Sequence, residues 1–426
     1  MRIINAREPA AEAAWLRKLA AIPDSLLQDA KSIMKGVEER GDSAIIDYTA
    51  KFDGVRLESL QVSAEEIKQA YQQVNRDQVK AIKEMSYRLA KSEMAVLKRL
   101  KGIAVSSKGV EISRMVKPIT SVGCYIPGGK ARYPSTVVMC AVPAKVAGVK
   151  RVVAISPPRK DNTIDPLTLV TANICGVDEF YKAGGAHGIA ALAYGTQSIK
   201  KVNKIVGPGG MFVTGAKLIA SSNVSTDMIA GPTELLIYAD GTANPRLIAV
   251  DLISQAEHSM DTVCGLVTTS NKLASQVQEH VESIVQNITR LDIVKSSLQK
   301  NGFITICKNN DACIEFVNEF APEHLEIMCK NPESIAKKVD SAGIVLVGQY
   351  APSSASDYCL GSNHVLPTLG FAKSRASLSV LDFIRIVNKV KVTKAGLAQV
   401  DIAINEIASA EGLLNHYKAV RARMDE

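Results

Sequence analysis

Several features that would classify a chain of 426 residues at a glance are missing from this one. Its eight cysteines (124, 140, 175, 264, 307, 313, 329 and 359) include no C-x-x-C pair. That excludes a thiolate zinc site and offers no disulfide framework; most lie in apolar stretches and read as reduced, buried thiols of a cytoplasmic enzyme. No uncharged apolar run approaches membrane-spanning length, because 137–155 is interrupted by Lys145, Lys150 and Arg151. The start, MRIINAREPAAEAAWLRKLA, is charged and amphipathic, unlike a secretory leader. The dinucleotide fingerprint G-x-G-x-x-G is absent, and so is the short metal motif H-E-x-x-H. Histidine is scarce, with six residues in all.

What is present describes an ordinary globular protein of two or more lobes. The hydrophobic fraction is 46% and the mean hydropathy +0.06. The net charge of +8 is spread along the chain, which predicts a solvated basic surface able to attract anionic cofactors, with no nucleic-acid tract.

Four of the histidines sit in dense polar patterns. His258 closes 254-SQAEH-258, His324 lies in 321-APEHLEIM-328, His364 in 357-DYCLGSNHVLPTLG-370 and His416 in 411-EGLLNH-416. The adjacent Glu323 and His324 form a candidate proton-handling pair, since imidazole titrates near neutrality and a buried carboxylate can be pushed towards it. On its own such a pair is more often a solvated pair on a surface turn than a catalytic dyad. Gln255 and His258 share one helix face, and with Asp357 and His416 they make a nitrogen and oxygen donor set of zinc type. On spacing alone, four unrelated polar residues remain the simpler reading.

The order of elements predicts the fold class. Helices are expected over 6–20, 24–40 and 62–99, the second ending at Gly41 and the third opening on a Ser63–Glu66 capping box. From 120, strands and helices alternate: strand, Pro127-Gly128-Gly129 turn, helix, then VVAIS, and so on through 203-NKIVGPGG-210 to 234-ELLIYAD-240. The glycine turns suit close approach of a phosphate or simply a tight loop. A second series runs from 244 to 348, giving two Rossmann-like α/β lobes with parallel cores. Beyond 371 the pattern loosens, and 395–426 reads as a helical tail able to reach another lobe or subunit.

Segments distributed end to end carry a resemblance. They include 123-GCYIPGGKARYPSTVVMCAVPAKVAGV-149, 183-AGGAHGIAALAYGT-196, 204-KIVGPGG-210, 251-DLISQAEH-258, 321-APEHLEI-327, 357-DYCLGSNHVLPTLG-370 and 411-EGLLNHYKAVRAR-423. Together they resemble the histidinol dehydrogenase family. The resemblance implies NAD-linked oxidation of L-histidinol to L-histidine in two steps, with one zinc per site, in an aldehyde-dehydrogenase-like arrangement of lobes. Its metal ligands match Gln255, His258, Asp357 and His416, and its acid–base pair matches Glu323 and His324. Substrate contacts match Thr233, His364 and Glu411 beside Gln255, His258, His324, Asp357 and His416. Cofactor contacts match Tyr125, His187 and Gly210. The family is a homodimer whose tail crosses to the neighbour, so Glu411 and His416 are expected to serve the partner's site. The domain expectation is a helical segment 1–20, a first lobe of 21–120 with 235–375 bearing most catalytic motifs, a cofactor-side lobe 121–234, and a tail 376–426.

Three positions depart from the family pattern. His187 stands where Gln is usual, Gly210 where Asn is usual and Thr233 where Ser is usual. Thr keeps the hydroxyl. Losing the Asn side chain removes a hydrogen-bonding group worth about 0.5–1.5 kcal/mol. His187 either compensates in cofactor contact or only opens a helix. Two other classes stay open at this point: a zinc hydrolase using Glu323 to activate water, and a non-catalytic homologue that keeps zinc but not NAD.

Overall fold

The computed structural model describes residues 1–17, 23–100, 102–128, 132–228 and 231–425. The end of the first expected helix and Gly129 of the expected turn lie outside them.

Two parallel sheets form the body. The first has six strands in the order Arg2–Asn5, Phe303–Ile306, Val263–Thr268, Glu234–Ala239, His324–Met328 and Ile344–Val347. After the edge strand Arg2–Asn5 the chain re-enters at Glu234–Ala239, steps one way through two strands, then returns to the other side at His324–Met328. The second sheet has five strands in the order Glu179–Lys182, Arg151–Ser156, Ser121–Tyr125, Lys204–Val206 and Ser225–Thr226, and reverses in the same manner at Ser121–Tyr125. Strands ELLIYA, SVGCY and HLEIM are buried along their whole length, as expected where helices cover both faces. A charged residue in such a strand is therefore an exception that asks for a partner.

The expected α/β class is what the structure shows, but the grouping of the N-terminal helices is different. Asp24–Arg40 and Asp42–Phe52 bury Ala30, Met34, Val37 and Ile45 in one core with Val153, Ile155 and Ile205 of the five-stranded sheet. Ala64–Gln72 and Arg76–Arg99 bury Ile82, Met85 and Leu89 against Val122, Val137 and Phe180 on the same lobe. Residues 24–99 thus belong with 121–228 and not with 235–375. The segment 1–17 is also more than a helix: Arg2–Asn5 is the edge strand of the six-stranded sheet, and Pro9–Arg17 packs on Asn310–Phe320.

The long helix expected over 62–99 is two. Ser63 and Glu66 form the expected capping box, and Asn75 with Gln78 forms a second that starts a new helix. The loosely patterned region holds a third, antiparallel sheet, Ile384–Val392 on Val110–Pro118 on Ile103–Ser107. One of its faces carries Ile103, Val105, Ile112, Ile386, Val390 and Val392, all exposed. Helices Lys394–Ala410 and Leu414–Asp425 follow, the latter with no buried residue. Among the described residues no helix is long and apolar enough to cross a membrane.

Candidate active site

A cleft of about 1050 Å³ opens between the two parallel sheets. Its walls include Pro127, Gly207, Pro208, Gly209 and Gly210, which follow strands of the five-stranded sheet. They also include Thr233, Glu234, Val263, Phe303, Glu323 and His324, which begin strands of the six-stranded sheet.

Glu323 and His324 are held by the neighbouring strand. Glu323 Oε2 accepts from the Thr233 hydroxyl at 2.6 Å and from Glu234 N–H at 2.7 Å, and its own N–H donates to Glu234 Oε2 at 3.2 Å. Oε1 is left for chemistry. His324 Nδ1 lies 3.1 Å from the Glu234 carbonyl, so it donates there and turns Nε2 away. Nε2 is buried without a hydrogen-bond partner among the described residues, with Asp357 Oδ1 3.4 Å off. Burial alone would pull the imidazole down; Glu323 and Asp357 outweigh it and hold His324 well above its ordinary value.

The next layer was not foreseen from the sequence. Glu234 is fully buried at the head of its strand and is ion-paired to Arg17, whose guanidinium also donates to the carbonyls of Phe320 and Ala321 and lies over the Phe320 ring. Burial pushes the Glu234 carboxyl up against the pull of Arg17. Leu369 N–H donates to the same carboxylate at 2.9 Å. Ala321 sits at φ +47°, a left-handed position that a non-glycine residue keeps only under such bracing. The sequence carried one trace of this: a carboxylate opening an otherwise apolar strand.

Three of the four expected metal ligands converge here. Gln255 ends the helix Pro245–Ala256, and its Nε2 donates to the Thr233 hydroxyl at 2.8 Å, leaving its amide oxygen as the atom available to a ligand. His258 Nδ1 lies 3.1 Å from the Gln255 carbonyl, which leaves Nε2 to ligate. Asp357 follows the short helix Ser353–Ser356. Burial raises its carboxyl, but His324, with His364 and His258, holds it below the usual carboxylate range. His364 Nδ1 donates to the Asp357 carbonyl at 2.8 Å, and burial pulls its ring below the ordinary value. The donor chemistry and the pre-turned nitrogens fit a zinc-type ion. Among the described residues no group of three or more His, Cys, Asp or Glu side chains is placed to hold a metal ion within one chain. His416 and Glu411 stand exposed on the tail, which the structure does not bring to the cleft of its own chain.

The expected cofactor contacts divide. Gly210 lines the cleft, and a Cβ built there meets nothing within 4 Å. Gly207, at φ +114°, lies so close to Tyr125 that a Cβ would stand 2.2 Å from its carbonyl oxygen. The buried pair Lys217–Asp227 fixes this loop, with Asp227 accepting from Gly207 N–H at 2.7 Å and Lys217 donating to the Gly207 carbonyl at 3.0 Å. Tyr125 and His187 do not line the cleft. The Tyr125 hydroxyl accepts from Gly185 N–H at 3.1 Å, and burial pushes it up to about 12. His187 is buried against Thr49, 3.3 Å away, between Tyr48 and Phe52, and burial pulls it down to about 4.

Comparison with known proteins agrees with this architecture. The family model "Histidinol dehydrogenase" matches residues 18–424. The histidinol dehydrogenase of Methanocaldococcus jannaschii is 42% identical over 404 residues, 94% of this chain and 93% of its own. That of Listeria innocua is 44% identical over 405 residues, 95% and 94% of the two chains. A crystal structure of histidinol dehydrogenase from Elizabethkingia anophelis, 36% identical, superposes with a TM-score of 0.94 over 100% of this chain and 98% of that one.

Proposed function

This chain belongs to the histidinol dehydrogenase family, and we propose that the cleft between its parallel sheets is where histidinol is oxidised to histidine. Its activity is that family's, in histidine biosynthesis. The observation that carries the site assignment is the Glu323–His324 pair, braced by Glu234 and facing the glycine loop across the cleft. The hydrolase alternative leaves the glycine loop without a use, and the non-catalytic one rests only on the departures at 187 and 210.

Zinc would be held by Gln255, His258 and Asp357 of one chain with the partner subunit's His416, and when bound it supplies a fixed template for the amine and imidazole of the substrate. NAD, when bound, takes up the hydride. The chain's own groups handle the protons. With Asp357 committed to zinc, its pull on His324 would be weakened, and the neutral ring's Nε2 accepts the carbinol proton as hydride leaves the carbon. The aldehyde stays in the cleft, where burial limits its escape. Glu323, its Oε2 pinned by Thr233 and Glu234, uses Oε1 to take a proton from water as that water adds to the aldehyde. His324, having lost its proton to solvent, accepts the hydroxyl proton of the hydrate in the second hydride transfer. The two residues divide the work because one presents a nitrogen lone pair and the other a half-fixed carboxylate.

Thr233 connects the chemistry to the ligands, since it receives the Gln255 amide and donates to Glu323. Tyr125 backs the glycine loop at Gly207, His187 packs in the core against Thr49, and Gly210 would face the cofactor. A homodimer is supported by the exposed apolar sheet face and by exposed Ile402, Ile407 and Leu414 on the tail helices, which a second copy would cover. The partner's tail would then bring Glu411 and His416 to this cleft.

Counting NADH formed per histidinol consumed tests the reading. The native protein forms two, and Glu323→Gln forms close to one, with aldehyde accumulating. One NADH from the native protein, or two at the native rate from the variant, contradicts the division of roles.

A further inference from the structure

The strand His324–Met328 carries one carboxylate, and the proposed reaction does not use it. Glu326 lies two residues beyond His324, 1% exposed, inside a strand that is otherwise apolar after the histidine. Its two oxygens face different elements. Oε1 accepts from Ser353 N–H at 2.6 Å, at the start of the short helix that ends at Asp357. The carboxyl is also within hydrogen-bonding reach of Asp251 on the helix Pro245–Ala256. Asp251 is one turn before Gln255 on that helix, so the two share a face.

Glu326 therefore touches both elements that present metal donors, from the strand that presents the acid–base pair. Two carboxyl groups can hydrogen-bond only if one of them keeps a proton. Among the described residues Glu326 Oε2 has no other partner, as expected for an oxygen waiting on the proton of its neighbour. Burial favours that proton: it pushes Glu326 up to about 8, with Asp251 adding to the push, and Asp251 up to about 6.

We propose that Glu326 is a positioning residue which, sharing one proton with Asp251 and accepting from Ser353 N–H, sets the distance between the Gln255–His258 and Asp357 donors. Ligands of a metal keep their aim through such outer hydrogen bonds, whose loss typically costs about 10–100-fold in metal affinity. The inference rests on the ligand set proposed above.

The test is zinc affinity, measured with zinc ion in competition with a coloured chelator on the purified full-length protein. Three variants decide it. Glu326→Leu fills the space but removes both contacts. Glu326→Gln keeps an oxygen for Ser353 N–H and an N–H₂ for Asp251. Asp357→Ala removes a proposed ligand. Expected are a loss of about tenfold or more for Glu326→Leu and affinity within about threefold of native for Glu326→Gln. Substrate KM is expected to rise in Glu326→Leu in parallel with the zinc loss, and to recover in Glu326→Gln. Native zinc affinity in Glu326→Leu, with Asp357→Ala weakened, overturns the positioning role. Glu326→Gln as weak as Glu326→Leu overturns the shared proton. Native affinity in Asp357→Ala instead overturns the ligand set beneath both. If Glu326→Leu does not fold, Asp251→Leu removes the contact from the helix side and is read in the same way.

Discussion

The six-stranded sheet presents the starts of its strands to the cleft, whereas the five-stranded sheet presents the ends of its own. Open α/β sheets usually bind ligands beyond their strand ends, at the point where strand order reverses, and the five-stranded sheet follows that rule at Ser121–Tyr125. What it offers there is backbone and glycine, held by a buried Lys217–Asp227 pair. The six-stranded sheet does the reverse. It offers side chains at strand starts: those of Glu323 and His324 are held by the backbone N–H and carbonyl of Glu234, whose buried carboxylate takes the Glu323 N–H, and a second buried carboxylate, Glu326, accepts from Ser353 N–H ahead of Asp357. A side-chain-free loop suits the close approach of a large cofactor, and braced side chains suit proton transfer.

The comparison can be broken most directly at the chemical edge. Replacing His324 by Ala removes the proposed base of both oxidations and is expected to lower kcat by about 10³-fold. NAD affinity, measured by fluorescence titration, stays native, because no cofactor-edge contact is touched. Loss of NAD binding in this variant would mean that the two edges are not separate in function.

His187 sharpens the comparison from the supporting core of the five-stranded lobe. The buried ring stays neutral down to about pH 4, while in the unfolded chain it takes up a proton near its ordinary 6.5. Its protonation therefore favours unfolding. Stability falls as pH drops below about 6.5, the loss grows until about 4, and it levels off at about 3 kcal/mol. Glutamine at this position does not titrate, so denaturant midpoints at pH 7 and pH 4.5 are expected to converge in His187→Gln relative to native. Asp53, pushed up to about 6 by burial, acts in the opposite sense in both proteins and cancels in the difference. Equal acid sensitivity of the two proteins would show that His187 is not buried as a neutral ring.

The smallest effect belongs to the cofactor edge. A side chain at 210 meets open space, so Gly210→Asn is tolerated and adds a hydrogen-bonding group, tightening NAD by about 0.5–1.5 kcal/mol, or roughly two- to tenfold in Kd. Unchanged affinity in an isothermal titration would mean the loop meets the cofactor through its backbone alone.

Much of this was legible in the sequence, for identifiable reasons. The parallel α/β class shows in the alternation of apolar runs with helical stripes, and APEH and SQAEH mark themselves as polar clusters beside apolar strands. The lobe assignment of residues 24–99 was not legible, because an amphipathic helix declares that it has a buried face without declaring which sheet covers it. Arg17 and Glu234 are 217 residues apart, and no local pattern joins them. The hairpin through Lys108 and Gly109, both at positive φ, turns in two residues between strands that expose most of their side chains, so it lacked the usual apolar signature. Glu326 was visible as a charge within a buried run, and its partner lies on another element.

In the proposed dimer one complete site takes its braced residues from one chain and its last donors from the tail of another. Mixed dimers test it. Asp357→Ala and His416→Ala subunits, each inactive alone, are given different affinity tags, and only the heterodimer is purified. If the tail crosses, one of its two sites has both residues intact, and activity returns to about half that of the native dimer. If the tail serves its own chain, every site lacks one residue, and a heterodimer without activity contradicts the account.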